Sequence, residues 1–213
     1  MTPARVSCYN LIIMNNIECE IRAIIQKKDV PALRRKLKKQ GKLIGKDHRL
    51  SVMLFRCDPE ADLDLRIRIT NGQCEMVMKR GDHHSSDRVE TAQEIQPDQF
   101  VGMTKLFLQF DWNWSKVGAR DSENYDLGHG VVATIASAGE YRYLELEKMA
   151  NKKTLSKIQK ELETIANELG VELIRTKDEY YTFCRRLTKE VDWQIKDRPV
   201  DYKKLKQQLR KYL

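Results

Sequence analysis

Along much of this chain, apolar and charged residues alternate one by one. In the run Ile17, Glu18, Cys19, Glu20, Ile21, Arg22 the charged positions share one face of an extended strand and the apolar ones share the other. The same period of two governs LSVMLFRC, LDLRIRIT, QCEMVMKR and DRVETAQEI, between about Leu50 and Ile95, with the turn formers CDPEAD, TNG and GDHHSS between them. A helical piece, PDQFVGMTKLFLQF, then precedes a second strand group around SKVGAR, HGVVATIA and EYRYLELEK. Elsewhere the spacing changes to three and four. DVPALRRKLKKQG reads as a helix with Asp29 near its N-cap, Pro31 in its first turn and Gly41 just past its end. In TLSKIQKELETIANELG, Leu155, Ile158, Leu162, Ile165 and Leu169 form a stripe that Thr154 can cap and Gly170 can stop. Tyr181, Cys184, Leu187 and Val191 predict the next helix, and Tyr202, Leu205, Leu209 and Leu213 a third. All three stripes read as packing surfaces. Without an internal repeat or a low-complexity linker, the simplest architecture is one α+β domain with an antiparallel sheet.

The strand faces carry more information than the strands. Leu63, Leu65, Ile67 and Ile69 oppose Asp64, Arg66, Arg68 and Thr70, and Cys74, Met76 and Met78 oppose Glu75, Val77 and Lys79. Arg88, Glu90 and Glu94 share a face, as do Lys116, Gly118 and Arg120. Glu145 and Glu147 lie with Tyr141 and Tyr143, opposite Leu144 and Leu146. One such strand fits any sheet with a wet side. Six strands, dominated by Arg, Lys and Glu, fit a sheet curled into a barrel with a charged interior and an apolar exterior under the amphipathic helices. Facing charges in a partly closed space are costly unless they are paired or hold a ligand. Arginines and lysines suit a chain of phosphates, and carboxylates offer the hard oxygen donors of Mg²⁺ or Mn²⁺.

Composition narrows the class. At 213 residues and 41% hydrophobic, the chain can bury a real core. It contains no run of about 18 uncharged apolar residues, and its N-terminus lacks the basic-then-apolar layout of a secretory signal. Five scattered cysteines without a CxxC pair argue against a disulfide framework and a zinc site, so the expected compartment is the cytoplasm. Met14 reads as an alternative start, with residues 1–13 a flexible extension and 14–213 the domain. The net charge of +8 is matched by one stretch, Lys27 to Arg49, in which ten basic residues face only Asp29 and Asp47. That patch reads as a solvated helix face that could also attract a polyanion.

In order and spacing these strands resemble the CYTH, or triphosphate tunnel metalloenzyme, superfamily, which includes class IV adenylyl cyclase and thiamine triphosphatase. The family's opening Glu-x-Glu-x-Lys is similar to Glu18, Glu20 and Arg22. An Arg-x-Arg strand (Arg66, Arg68), a lysine before a glycine (Lys79, Gly81) and an Arg-x-Glu strand (Arg88, Glu90) follow in order. A Lys/Arg strand (Lys116, Arg120) and a final Glu-x-Glu (Glu145, Glu147) complete the series, so the likeness spans about residues 15 to 190. It implies an eight-stranded antiparallel barrel forming a tunnel, with helices outside. It implies further that Glu18, Glu20, Glu145 and Glu147 hold Mg²⁺ or Mn²⁺, that Arg22, Arg66, Arg68, Lys79, Arg88, Lys116 and Arg120 bind the triphosphate, and that Arg22 joins the four glutamates as catalytic residues. Two positions depart from the pattern. Arg22 replaces the usual lysine, and 131–139 lacks the aspartate that many members carry.

The expected activity is metal-dependent hydrolysis of a triphosphate: tripolyphosphate, a nucleoside triphosphate or thiamine triphosphate. The alternatives are class IV-type cyclisation of ATP and non-catalytic binding of polyphosphate, nucleotide or RNA, with RNA ranked below the small molecules. His83 and His84 read as a polar turn. Trp112 and Trp114 read as junction packing, with stacking on a base or thiamine-like ring as the alternative, and Tyr141 and Tyr143 as rim packing.

Overall fold

The computed structural model describes residues 17–57, 62–81, 88–195 and 201–213. The N-terminal extension, Met14 and the His83–His84 turn lie outside these residues. Strand β1 (Ile17–Ile25) leads into α1 (Val30–Gln40), then β2 (Lys42–Arg56), β3 (Leu63–Thr70), β4 (Gln73–Arg80) and β5 (Arg88–Ile95). After α2 (Phe100–Phe107) come β6 (Trp114–Asp126), β7 (Val131–Ala138) and β8 (Tyr141–Ala150). The chain ends with α3 (Leu155–Leu169), α4 (Lys177–Glu190), the two-residue β9 (Trp193–Gln194) and α5 (Tyr202–Leu209).

All pairings are antiparallel, in the order β2-β3-β4-β5-β1-β8-β7-β6. A long β2–β6 ladder, from Phe55 opposite Trp114 to Lys42 opposite Asp126, closes these eight strands into a barrel. β7 pairs only with the second half of β6, and β9 covers part of the edge this leaves, placing Trp193 against Val117. Between β3 and β4, Asn71 and Gly72 both take left-handed backbone angles (φ 49° and 86°), as an Asn-Gly hairpin turn requires.

The helices bury the apolar strand faces. Leu33 and Leu37 of α1 and Ile158, Leu162, Ala166 and Leu169 of α3 join Cys19, Ala23, Ala133, Ile135, Leu144 and Leu146 in one core. Phe100 and Val101 of α2 and Leu205 and Leu209 of α5 join Leu50, Val52, Leu54, Leu65, Ile67 and Ile69 in a second. The alternation was therefore read correctly: apolar residues face outward to the helices and charged ones inward.

Three expectations change. β2 starts at Lys42, not near Leu50, because the basic residues of 42–49 obscure a strand that a bulge between Leu43 and Gly45 also interrupts. The third stripe ends at Leu209, and Leu213 is 65% exposed. The Tyr181–Cys184–Leu187 stripe packs, but these side chains also line the cavity inside the barrel.

Candidate functional site

Strand alternation delivers each charged side chain to the barrel interior, where a cavity of about 180 Å³ runs among them. It gathers Arg22, Arg66, Arg88, Lys116, Arg120 and Glu145 from the expected set. Glu18, Glu20, Arg68, Lys79 and Glu147 do not line it but form the adjoining charge network. Arg49, assigned from sequence to the surface patch, lines the cavity as well. So do Asp64 and Tyr143, and Tyr180 from α4.

Burial forces these charges into pairs. Arg22 donates from Nε to Glu145 at 2.9 Å, lies 2.5 Å from Glu20, and stacks its guanidinium 5.3 Å from the Tyr180 ring centre. Asp64, 1% exposed, accepts two bonds from Arg66 (3.0 and 2.7 Å) and one from Arg88 at 3.3 Å. Lys79 lies 2.6 Å from both Glu18 and Glu90, and Arg68 donates to Glu75 at 2.8 Å. Lys116 and Arg120 share Asp192, at 2.7 and 2.8 Å. Arg49 is held more loosely: it donates to Thr70 at 2.9 Å and stands 3.9 Å from Asp47. Its pKa is lowered by burial and by Arg68 and Arg66.

The carboxylates make a second, acidic zone. In the β1–β8 register Glu20 is directly opposite Glu147, and Arg22 is opposite Glu145. Burial pushes the Glu145 carboxyl up, but Arg22 outweighs it and brings the pKa down to about 2. Burial raises Glu20 well above the usual carboxylate range. Glu147 has no ion-pair partner among the described residues, and burial, then Glu18 and Glu145, push its pKa up to about 7. An all-oxygen, mutually repelling donor set suits a hard divalent cation. Among the described residues no three acids yet stand together as a finished cation site, since Lys79 and Arg22 hold Glu18, Glu20 and Glu145.

At the position opposite Glu145 on β7 stands Thr134, whose hydroxyl donates to Asn124 at 3.0 Å. The residues of 131–139 thus bring a neutral hydroxyl, not an acid, opposite Glu145. Trp112 packs as expected, its indole N–H donating to the Phe107 carbonyl. Trp114 instead reaches the cavity wall and stacks on Phe55 at 3.7 Å. Tyr143 is not rim packing: it is 9% exposed and lines the cavity.

No family model matches the sequence, and no curated protein matches it. Solved structures do. PH1819 of Pyrococcus horikoshii OT3 superposes with a TM-score of 0.58 at 22% identity, covering 79% of this chain and 99% of that one. A proposed adenylate cyclase from Vibrio parahaemolyticus gives 0.56 at 15% identity, covering 78% and 98%. What these structures share with this chain is the fold, a closed eight-stranded antiparallel barrel with helices outside. HpAC1 of Hippeastrum, a proposed adenylyl cyclase described as having a dominant triphosphatase activity, has it too, with a TM-score of 0.51 at 14% identity over 79% of this chain and 96% of that one. Asp64, Arg49 and Asp192 are residues of the barrel interior that the sequence motifs do not include. Asp64 was legible from its parity with Arg66. Asp192 carries no local signal, because only β9 brings it to the barrel wall.

Proposed function

We propose that this protein binds a triphosphate-bearing compound in its tunnel and hydrolyses the terminal phosphate with the help of Mg²⁺ or Mn²⁺. The observation that carries this reading is the convergence of Arg22, Arg49, Arg66 and Arg88 on one cavity beside the Glu18–Glu20–Glu145–Glu147 cluster. Arginine forks grip phosphoryl oxygens bidentately, and Asp64 already orients Arg66 in that way. Glu18, Glu20, Glu145 and Glu147 would hold the cation, which supplies charge neutralisation to the phosphates when bound. Without a cation, burial, Glu18 and Glu145 push the Glu147 pKa up to about 7, and a bound cation would bring it down again. Tyr180, Tyr181 and Phe183 of α4 line the same cavity.

The neighbour described as having a dominant triphosphatase activity favours hydrolysis over cyclisation. Cyclisation of ATP remains the second reading, favoured by the Phe55–Trp114 stack, which offers a base an aromatic surface. Among the described residues no helix is long and apolar enough to cross a membrane. The experiment is incubation with tripolyphosphate, ATP and thiamine triphosphate in Mg²⁺, Mn²⁺ or EDTA, following orthophosphate and cyclic AMP. Metal-dependent orthophosphate that Glu147→Gln abolishes supports hydrolysis, and cyclic AMP with pyrophosphate supports the second reading. Tight binding without either product would leave a non-catalytic binder. Identical binding and turnover by wild type and Glu147→Gln would overturn the assignment of the acidic zone.

A further inference from the structure

Two cations of the cavity already have an anion supplied by the chain itself. Asp192 follows α4 directly, and its side chain is fully buried. One carboxylate oxygen lies 2.7 Å from Lys116 Nζ and accepts from Arg120 Nη2 at 3.2 Å; the other accepts from Arg120 Nη1 at 2.8 Å. That is a bidentate fork plus an ammonium, the grip expected for a phosphate.

The site is built for this carboxylate. Gly118 lies between Lys116 and Arg120 on the inner face, and a Cβ there would fall 2.7 Å from Asp192 Oδ1. The amides of Val191 and Asp192 both donate to the Leu187 carbonyl, at 3.0 and 2.9 Å, and β9 pins the next residues to β6. Lys116 also donates to Thr188 of α4 at 3.0 Å. Beside this pair the wall becomes aromatic and apolar: Trp114 lies 5.7 Å from Lys116 Nζ and stacks on Phe55, with Met53 alongside.

We infer that Asp192 is a specificity-determining residue whose carboxylate takes the place of one phosphate at Lys116 and Arg120. The phosphate chain is thereby confined to the wall of Arg22, Arg49, Arg66 and Arg88. Lys116 and Arg120 are left with one net positive charge instead of two, beside the aromatic surface of Trp114 and Phe55, so a substrate with a planar organic group is accepted and a bare polyphosphate is disfavoured. This inference rests on the triphosphate reading given above.

The test is calorimetric binding of tripolyphosphate and of ATP in EDTA to the full chain, as wild type, Asp192→Asn, Gly118→Ala and Arg66→Gln. In Asp192→Asn, tripolyphosphate should bind about tenfold tighter, the worth of one released charge-assisted bond, while ATP changes by less than about threefold. Gly118→Ala, which keeps every charge but crowds Asp192 Oδ1 together with Met53 Cε and Arg120 Nη1, should shift the same ratio in the same direction, and it decides the matter if Asp192→Asn does not fold. An unchanged ratio in a folded variant, with wild-type binding still sensitive to Arg66→Gln, overturns this inference alone. Wild-type binding of neither ligand, or binding indifferent to Arg66→Gln, overturns the triphosphate reading and this inference with it.

Discussion

Glu20 and Glu147 face each other across the β1–β8 pair, two carboxylates in direct register on the inner wall of a barrel. Like charges so placed destabilise a sheet unless a proton or a cation lies between them.

Protonation of Glu147 gives that relationship a pH signature. In the unfolded chain a glutamate ionises near about pH 4.3, whereas Glu147 holds its proton to about 7 when folded. The folded state therefore binds more protons in this window, and its stability should fall as pH rises through it, by about 4 kcal/mol in total. Thermal melts in EDTA should show wild type losing stability from pH 5 to 8. Glu147→Gln should flatten that slope and be the more stable protein at pH 8, where Mn²⁺ should raise the melting temperature of wild type but not of the variant.

Asp64 supports two guanidinium groups at once. Asp64→Asn leaves Arg66 and Arg88 buried without their shared carboxylate, a loss of about 3–5 kcal/mol. The urea midpoint should fall with an unchanged slope, and tripolyphosphate should restore part of the loss by occupying the freed arginines.

Arg49 separates binding from stability. Burial and the neighbouring Arg68 and Arg66 already disfavour its charge, so Arg49→Gln should leave the melting temperature equal or higher. Tripolyphosphate binding measured calorimetrically should nevertheless weaken about tenfold, as one phosphate contact is lost.

Leu162 is fully buried where α3 covers the outer face of the barrel. Leu162→Ala should cost about 2–5 kcal/mol in chemical denaturation, with oligophosphate affinity unchanged at temperatures where the variant is folded.

Much of this was legible in the chain. A barrel wall is half buried on each side, so its period-two pattern survives in sequence, and the inner residues from Glu18 to Glu147 could be read strand by strand. Arg49 was hidden because basic residues on both faces of Lys42–Arg49 erased the alternation. The facing role of α4 was hidden for a different reason: an apolar stripe looks alike whether it covers a strand or a tunnel mouth, and Tyr180 meets Arg22 only through tertiary placement. Pairing partners such as Asp192 are set by the course of the chain after α4, which no local spacing encodes.

The connectivity of the barrel bears on how it forms. β2 to β5 and β6 to β8 are each runs of sequential neighbours, but they are joined through β1–β8 and β2–β6, and the Arg22–Glu145 bond spans 123 residues. Closing loops of that length precedes any reward from the contacts they permit, so barrel closure is the slow event of folding. As the chain is made, β1 has its short pairing with β5 available early and its full-length pairing with β8 only later, so the Arg22–Glu145 and Glu20–Glu147 relationships come last.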